Sequence, residues 1–271
     1  MIFTSLCFAT VRFVSVPFDA GANIKGAAQG PATLQKSFKF DTVTIECDNR
    51  DNVAIFEDIK RNVLDIVKNN DFPVCFGGDH SIAIGSGAAV SNYASSILWM
   101  DAHADFNTPE SSETQNLHGM PLAILHGLGS QNYTSICDSF PSRNNIHIFG
   151  ARDIDAEEFK LLQKYNIKCT TMSAIKRYGV DYCMRQAIRN LPGKIHLSFD
   201  VDVMDPSVCP GVSTPVSNGL DYEQLEICLQ HLNECKRVRS LDIVEFNPLF
   251  DENEKTIRLI RFMLKYMGLL T

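Results

Sequence analysis

The chain has 271 residues, enough for one large α/β domain, with 45% hydrophobic and 21% charged residues, ordinary values for a globular protein. Its net charge of −7 argues against a nucleic-acid backbone or an anionic membrane surface as partner. No apolar run reaches the ~18 residues of a spanning helix, and the apolar start, residues 1–10, lacks the basic residues of a signal peptide.

Taken in chain order, Val11–Val16 and residues 42–46 are β-branched or apolar runs that read as strands. Asn52–Lys68 places apolar side chains at 55, 56, 59, 63, 66 and 67, close to the helical period. Residues 73–76, 97–100 and 146–149, then Lys168–Thr171 and 195–199, read as further strands, and the polar stretch 108–116 as a surface loop. Tyr222–Cys235 is a helix opened by Asp221 as its cap; residues 240–244 form the last strand and 256–267 the closing helix. This alternation predicts a mostly parallel sheet of about eight strands with helices on both faces, in one domain over 1–271. The nine cysteines are odd in number and include no C-x-x-C pair. They read as reduced core residues of a cytoplasmic protein.

The acids fall where such a sheet forms its sites. Asp79, Asp101, Asp153, Asp200 and Glu245 each come at or just after the end of a predicted strand, and open parallel sheets bind ligands beyond their carboxyl ends. In Trp99-Met-Asp-Ala-His-Ala-Asp-Phe-Asn107, Asp101, His103 and Asp105 alternate, so an extended segment points all three to one side. Ser198-Phe-Asp-Val-Asp-Val-Met-Asp-Pro206 repeats the device with Asp200 and Asp202. Gly77-Gly-Asp-His-Ser81 follows a strand and lifts His80 over the sheet edge; read alone, it is also a glycine turn with a capping Asp.

His80, Asp101, His103, Asp105, Asp200 and Asp202 therefore form a candidate metal-ligand set without a thiolate. Carboxylates with imidazole suit Mn²⁺, with zinc, iron and cobalt as competitors. Four aspartates balance two divalent ions, which would bring a bridging water to hydroxide near neutral pH. The competing reading is a set of helix caps and surface acids, which do not recur as D-x-H-x-D and D-x-D at strand ends. His118 has a suitable pKa for proton transfer, and reads equally as a solvated loop residue. Glu245 reads as a cap, an ion-pair residue or the partner of a guanidinium. His126, His147, His196 and His231 have no acidic companions in their patterns and read as structural. Phosphate-cradling glycine loops are absent from the sequence.

Gly-Gly-Asp-His-Ser at 77–81, Asp-Ala-His-Ala-Asp at 101–105 and Ser-Phe-Asp-Val-Asp at 198–202, followed by Asp205-Pro206, together resemble the ureohydrolase (arginase and agmatinase) family. The resemblance runs from Gly26 to about Pro248. Asn107-Thr-Pro, Asn116-Leu-His-Gly-Met-Pro and Gly150-Ala-Arg-Asp-Ile-Asp155 make it most similar to the arginases, since agmatinases carry a different loop here.

The resemblance implies an arginase-like fold, two Mn²⁺ per chain, and hydrolysis of L-arginine to L-ornithine and urea. It puts one ion on His80, Asp101, Asp105 and Asp200 and the other on His103, Asp101, Asp200 and Asp202. Asp202 would steady the nucleophile, His118 pass a proton and Glu245 hold the guanidinium. Asn107, Thr114 and Asn116 would meet the α-carboxylate and Asp155 the α-amine. Glu158 and Thr214 match further substrate-site positions, and a trimer or hexamer is the implied assembly. Other family reactions on agmatine, guanidinobutyrate or formiminoglutamate are the alternatives, with an inactive amino-acid-binding homologue beyond them. Thr114-Gln115 stands where the family usually has Ser-Gly, and Ser213 and Val203 where it has glycines.

Overall fold

Each run of β-branched and apolar residues becomes a strand, and all pair in parallel. The computed structural model describes residues 10–90 and 93–270; the expectations for the apolar start through residue 9, including Cys7, lie outside the described residues. The strands are β1 (Val11–Val16), β2 (Thr42–Thr44), β3 (Phe72–Gly77), β4 (Ser96–Met100), β5 (Ile146–Ala151), β6 (Lys168–Thr171), β7 (Ile195–Asp200) and β8 (Val238–Val244). They form one eight-stranded sheet in the order β2-β1-β3-β8-β7-β4-β5-β6, with every strand pairing parallel.

The helices are α1 (Gly30–Phe38), α2 (Asn52–Lys68), α3 (Ala83–Val90), α4 (Pro121–Leu125), α5 (Gln131–Thr134), α6 (Ala156–Tyr165), α7 (Met172–Tyr178), α8 (Val180–Asn190), α9 (Tyr222–Cys235) and α10 (Lys255–Tyr266). Alternate strand residues feed two separate cores. Val74, Phe76, Leu98 and Met100 pack with Leu34 of α1, Met184 of α8, Leu229 of α9 and Met263 of α10. Cys75, Ile97 and Trp99 face the other way, onto Ile55 and Phe56 of α2, Ala88 of α3, Leu122 of α4 and Leu162 of α6. Helices on both faces leave β3, β4, β5 and β7 buried along their whole length, which is why these strands read as continuous apolar runs.

Side-chain caps set the helix starts that the sequence marked. Asp51 accepts from Ala54 N at the head of α2, and Asp221 and Gln224 form a reciprocal capping box at α9. The predicted last helix begins one residue earlier, at Lys255, and the second strand stops at Thr44 rather than continuing to 46. Among the described residues the cysteines are free, and no helix is long and apolar enough to cross a membrane.

The topology decides where the acids meet. Neighbouring strands β3, β8, β7 and β4 end in the Gly-Gly-Asp-His turn, Glu245, Asp200 and Asp101 respectively. These segments lie far apart in sequence and side by side at one sheet edge. The turn after β3 is pressed against the chain: Gly78 N donates to Val16 O at 3.0 Å, and Gly78 O accepts from Glu245 N at 2.7 Å. A Cβ at Gly78 would lie 1.8 Å from the Phe18 carbonyl oxygen. Gly78→Ala should therefore displace the turn and cost about 1–3 kcal/mol as an overpacked substitution, measured by urea denaturation. An unchanged midpoint would show that the turn yields freely.

Candidate active site

His80 opens a 3₁₀ turn held by its predecessor. Asp79 accepts from Ser81 N at 3.0 Å and from Gly21 N at 2.7 Å, so the capping reading of the Asp and the projection of the His are both realised. Burial, reinforced by the charge of Glu245, pushes the Asp79 carboxyl up to about 7. The His80 ring stacks on Trp99 with centroids 4.0 Å apart, and its Nε2 meets Ser198 Oγ at 2.8 Å. This leaves Nδ1 facing Asp101 Oδ2 at 3.0 Å, Asp105 Oδ2 at 3.0 Å and Asp200 Oδ2 at 3.2 Å.

His103 repeats the arrangement. Its Nδ1 lies 3.1 Å from Asp202 Oδ2 and 3.4 Å from Asp101 Oδ1. The carboxylates are themselves held. Trp99 Nε1 donates to Asp101 Oδ2 at 2.9 Å, Asp202 N to Asp200 Oδ1 at 2.7 Å, and Ala102 N to Asp202 Oδ1 at 3.1 Å. Thr214 Oγ1 donates to Asp202 Oδ2 at 3.2 Å. Two groups, His80–Asp101–Asp200 and Asp101–His103–Asp202, each have potential ligand atoms within 4.8 Å of one another and share Asp101.

This donor set fits divalent cations. His80 Nδ1 is buried without a hydrogen bond of good geometry, though three carboxylates surround it. Burial works against a proton on either imidazole, yet the neighbouring acids pull both well above the ordinary histidine value. Burial likewise works against ionised Asp101, and His103 and His80 overcome it to hold that carboxyl far below its usual range. Burial and then the Asp101 charge push Asp105 up to about 7; burial with Asp202 and Asp101 raises Asp200 further. Like charges this close need either protons or cations between them.

A cavity of about 200 Å³ opens against this cluster. Asn107, Thr114, Asn116, His118, Asp155, Glu158, Thr214 and Glu245 all line it, together with His103, Asp105, Asp200 and Asp202. Ser112 and Asp153 line it as well and were not among the predicted site residues. Asp153 had been placed at a strand end, and Ser112 carried no signal beyond lying in the polar loop. A larger open groove of about 640 Å³, along α8 and α9, has no such cluster of acids.

Glu245 ends β8 with a left-handed backbone, φ +62, a costly conformation for a side-chain-bearing residue. Its Oε1 accepts from His80 N at 2.8 Å and lies 2.9 Å from His118 Nδ1. Its Oε2 is buried without a partner. Burial opposes a charge on His118, but Glu245 prevails and lifts the imidazole to about 9. Asp155 occupies the N-cap position of α6 without capping it; Asp155 Oδ2 instead accepts from Asn107 Nδ2 at 3.2 Å. Glu158, one turn on, accepts from Phe106 N at 2.8 Å, and burial pushes its carboxyl up to about 8.

Two departures from the family pattern are accommodated. Ser213 is buried and accepts from Asn247 Nδ2 at 2.9 Å. Val203 packs against Gly150, whose φ of +103 and missing Cβ leave room for it. The reading of the remaining histidines needs one correction. His196 and His231 do have acidic companions, brought by the fold: Asp242 at 3.2 Å and Asp181 at 2.9 Å. Both lie away from the cavity.

Comparison with known proteins supports the same reading. The family model described as Arginase family matches residues 9–268. The chain belongs to the arginase family. It is 39% identical to the arginase of Bacillus caldovelox over 279 residues, covering 91% of this chain and 93% of that one. The crystal structure of arginase from Bacillus subtilis superposes with a TM-score of 0.89 at 30% identity, covering 96% of this chain and 98% of that one. Arginase from Entamoeba histolytica, solved with L-ornithine, gives 0.87 at 31% identity, with 96% and 99% covered. This member of the family is a ureohydrolase most like arginase, a hydrolase acting on the guanidino C–N bond.

The electrostatics fix the sign of a pH effect on the metal-free protein. His80, His103, Asp105 and Asp200 all have pKa values raised by folding. Their stabilisation is complete below the unfolded values and is lost as pH rises through the folded ones. The depressed Asp101 acts in the opposite sense, but its contribution is lost only in strong acid. The Tm of metal-stripped protein should fall as pH rises through about 7, where Asp105 ionises, and further on the alkaline side as the two imidazoles lose their protons. Added Mn²⁺ should raise Tm more at the alkaline end, because ligation needs neutral imidazoles and ionised carboxylates. Calorimetry across that range checks both signs; a Tm that climbs with pH in the absence of metal would contradict the account.

Proposed function

We propose that this chain is a binuclear manganese arginase, hydrolysing L-arginine to L-ornithine and urea. The observation that carries the reading is Glu245 Oε2, a buried and unpartnered acceptor on a residue that lines the cavity beside the carboxylate–imidazole cluster. An orphaned carboxylate oxygen in such a place suits a planar cation, and a guanidinium can donate a charge-assisted N–H bond to it. The L-ornithine in the Entamoeba histolytica arginase structure supports an amino-acid substrate.

In this reading His80, Asp101, Asp105 and Asp200 hold one ion, and His103, Asp101, Asp200 and Asp202 the other. When bound, the cations supply Lewis-acid chemistry, acidifying water and neutralising the acids around them. The protein groups do the rest. Glu245 fixes the guanidinium. Asp202, held by Ala102 N and Thr214, orients the attacking water. His118 Nδ1 is engaged with Glu245, so Nε2 is the nitrogen left to pass a proton to the departing amine. Asp155 takes the α-ammonium, while Asn107, Thr114 and Asn116 take the α-carboxylate. Glu158 anchors the segment behind them through Phe106 N. A single domain, a homo-oligomeric assembly as trimer or hexamer and a cytoplasmic location complete the proposal, resting on the family resemblance and on the free thiols.

Urea release from L-arginine and agmatine in parallel, after Mn²⁺ loading, tests the substrate. Agmatine lacks the α-carboxylate and its contacts, each worth roughly 1.5–3 kcal/mol, so kcat/KM should favour L-arginine by at least about tenfold. Equal rates would remove the assignment, and one manganese per fully loaded chain by elemental analysis would remove the binuclear centre.

Asp155→Ala separates recognition from structure. The side chain makes no cap bond, so stability should hardly change. KM for L-arginine should rise about ten- to hundredfold with the loss of one charge-assisted contact. A lower Tm with unchanged KM would return Asp155 to a structural role.

A further inference from the structure

The polar loop that brings Ser112, Thr114 and Asn116 to the cavity is fastened by a residue that does not itself line it. Gln115 has a left-handed backbone, φ +61, in the region that favours glycine. Its side chain is exposed at the protein surface and is absent from the cavity wall. It nevertheless spans the turn. Nε2 donates to Pro109 O at 2.7 Å and to Ser112 O at 2.6 Å, while the backbone N–H donates to Ser112 Oγ at 3.0 Å. Three bonds from one residue thus close the loop on itself. The neighbouring bonds continue the arrangement: Asn116 N donates to Thr114 Oγ1 at 3.3 Å, and Ser111 Oγ to Asn107 Oδ1 at 2.8 Å.

Glycine at this position would adopt the backbone angle without strain but would supply no carboxamide. Glutamine accepts the strained backbone and gains two donated bonds to carbonyls at the far side of the turn. A loop ordered in advance loses less freedom when a ligand arrives, and that difference appears as affinity.

We propose that Gln115 is a positioning residue, a carboxamide clamp that sets Ser112, Thr114 and Asn116 for the carboxylate end of an α-amino-acid substrate. The inference rests on the proposed placement of the α-carboxylate against this loop. It assigns Gln115 to substrate affinity and not to the chemical step, because Gln115 contacts neither the acids nor the imidazoles. Its removal should leave the metal cluster and proton transfer untouched.

Gln115→Gly and Gln115→Glu test the clamp. The first keeps the backbone angle and removes both side-chain bonds. The second replaces the donor with an acceptor facing two carbonyls. Exposure of the residue means that neither change disturbs the core. Both variants should raise KM for L-arginine about tenfold, with kcat within about twofold of wild type, the signature of lost ground-state binding. The kcat/KM for agmatine, which has no carboxylate, should be unchanged, as should bound manganese. Amide hydrogen exchange over residues 108–116 should accelerate in both variants and nowhere else.

A KM for L-arginine equal to wild type in both variants overturns the inference, as does an equal loss for agmatine. Wild-type protein that releases no urea from L-arginine refutes the proposed substrate. The clamp then stands or falls on exchange alone: faster exchange in Gln115→Gly sustains it, and unchanged exchange overturns it.

Discussion

Four buried carboxylates crowd two imidazole nitrogens at one edge of a parallel sheet, and the rest of the site is arranged around that repulsion. Left in a dry interior, such charges would drive the strand ends apart or take up protons. The chain answers by fixing four of these six groups from behind. Ser198 and Trp99 fix His80; Trp99 and the His103 amide fix Asp101; the amides of Ala102 and Asp202 fix Asp202 and Asp200. Arg152 adds a guanidinium that donates to six backbone carbonyls, among them those of Asp202, Val203 and Met204; burial lowers its pKa, and the charges of Asp202 and Asp101 only partly offset this. Few of these supports point at the cavity. They hold the groups that do.

Two strained residues lie at the same edge. Asp105 and Glu245 both have left-handed backbones, and both are buried beside the cluster. Glu245 directly follows β8, and Asp105 lies in the segment that leaves β4. Asp105 O also receives Leu122 N at 3.0 Å, docking the start of α4. The unfavourable angle therefore aims a carboxylate inward while the neighbouring backbone is tied down, which is how a conformation of this cost persists.

The strands and the carboxylate–imidazole cluster at their ends were legible because each signal is local. A strand buried on both faces is a continuous apolar run, and alternate acids at its end share one side. The α2 helix was legible because only one face is buried: Ile55, Phe56, Ile59 and Val63 are covered, while Ile66 and Val67 are half-exposed. By contrast α3 is mostly small and apolar, and its residues through Ala89 are all buried, so no periodicity marks it. Strand order was not legible. It alone brings Asp242 to His196 and β8 between β3 and β7. The choice facing Asp155, between the amides of α6 and Asn107, also needed three dimensions. So did the unpartnered Glu245 oxygen, because an absent bond leaves no trace in a sequence.

Trp99 is the only tryptophan in the chain, and it lies flat against His80 while donating to Asp101. A single indole is thus in contact with two of the residues proposed to hold the ions. Excited selectively at long ultraviolet wavelengths, the whole protein reports through one chromophore, and that chromophore borders the carboxylate–imidazole cluster. Paramagnetic manganese arriving there would quench its emission, whereas diamagnetic zinc would leave that channel silent. If the cluster takes up ions as proposed, the polypeptide carries its own optical gauge of which metal has entered, with no label attached.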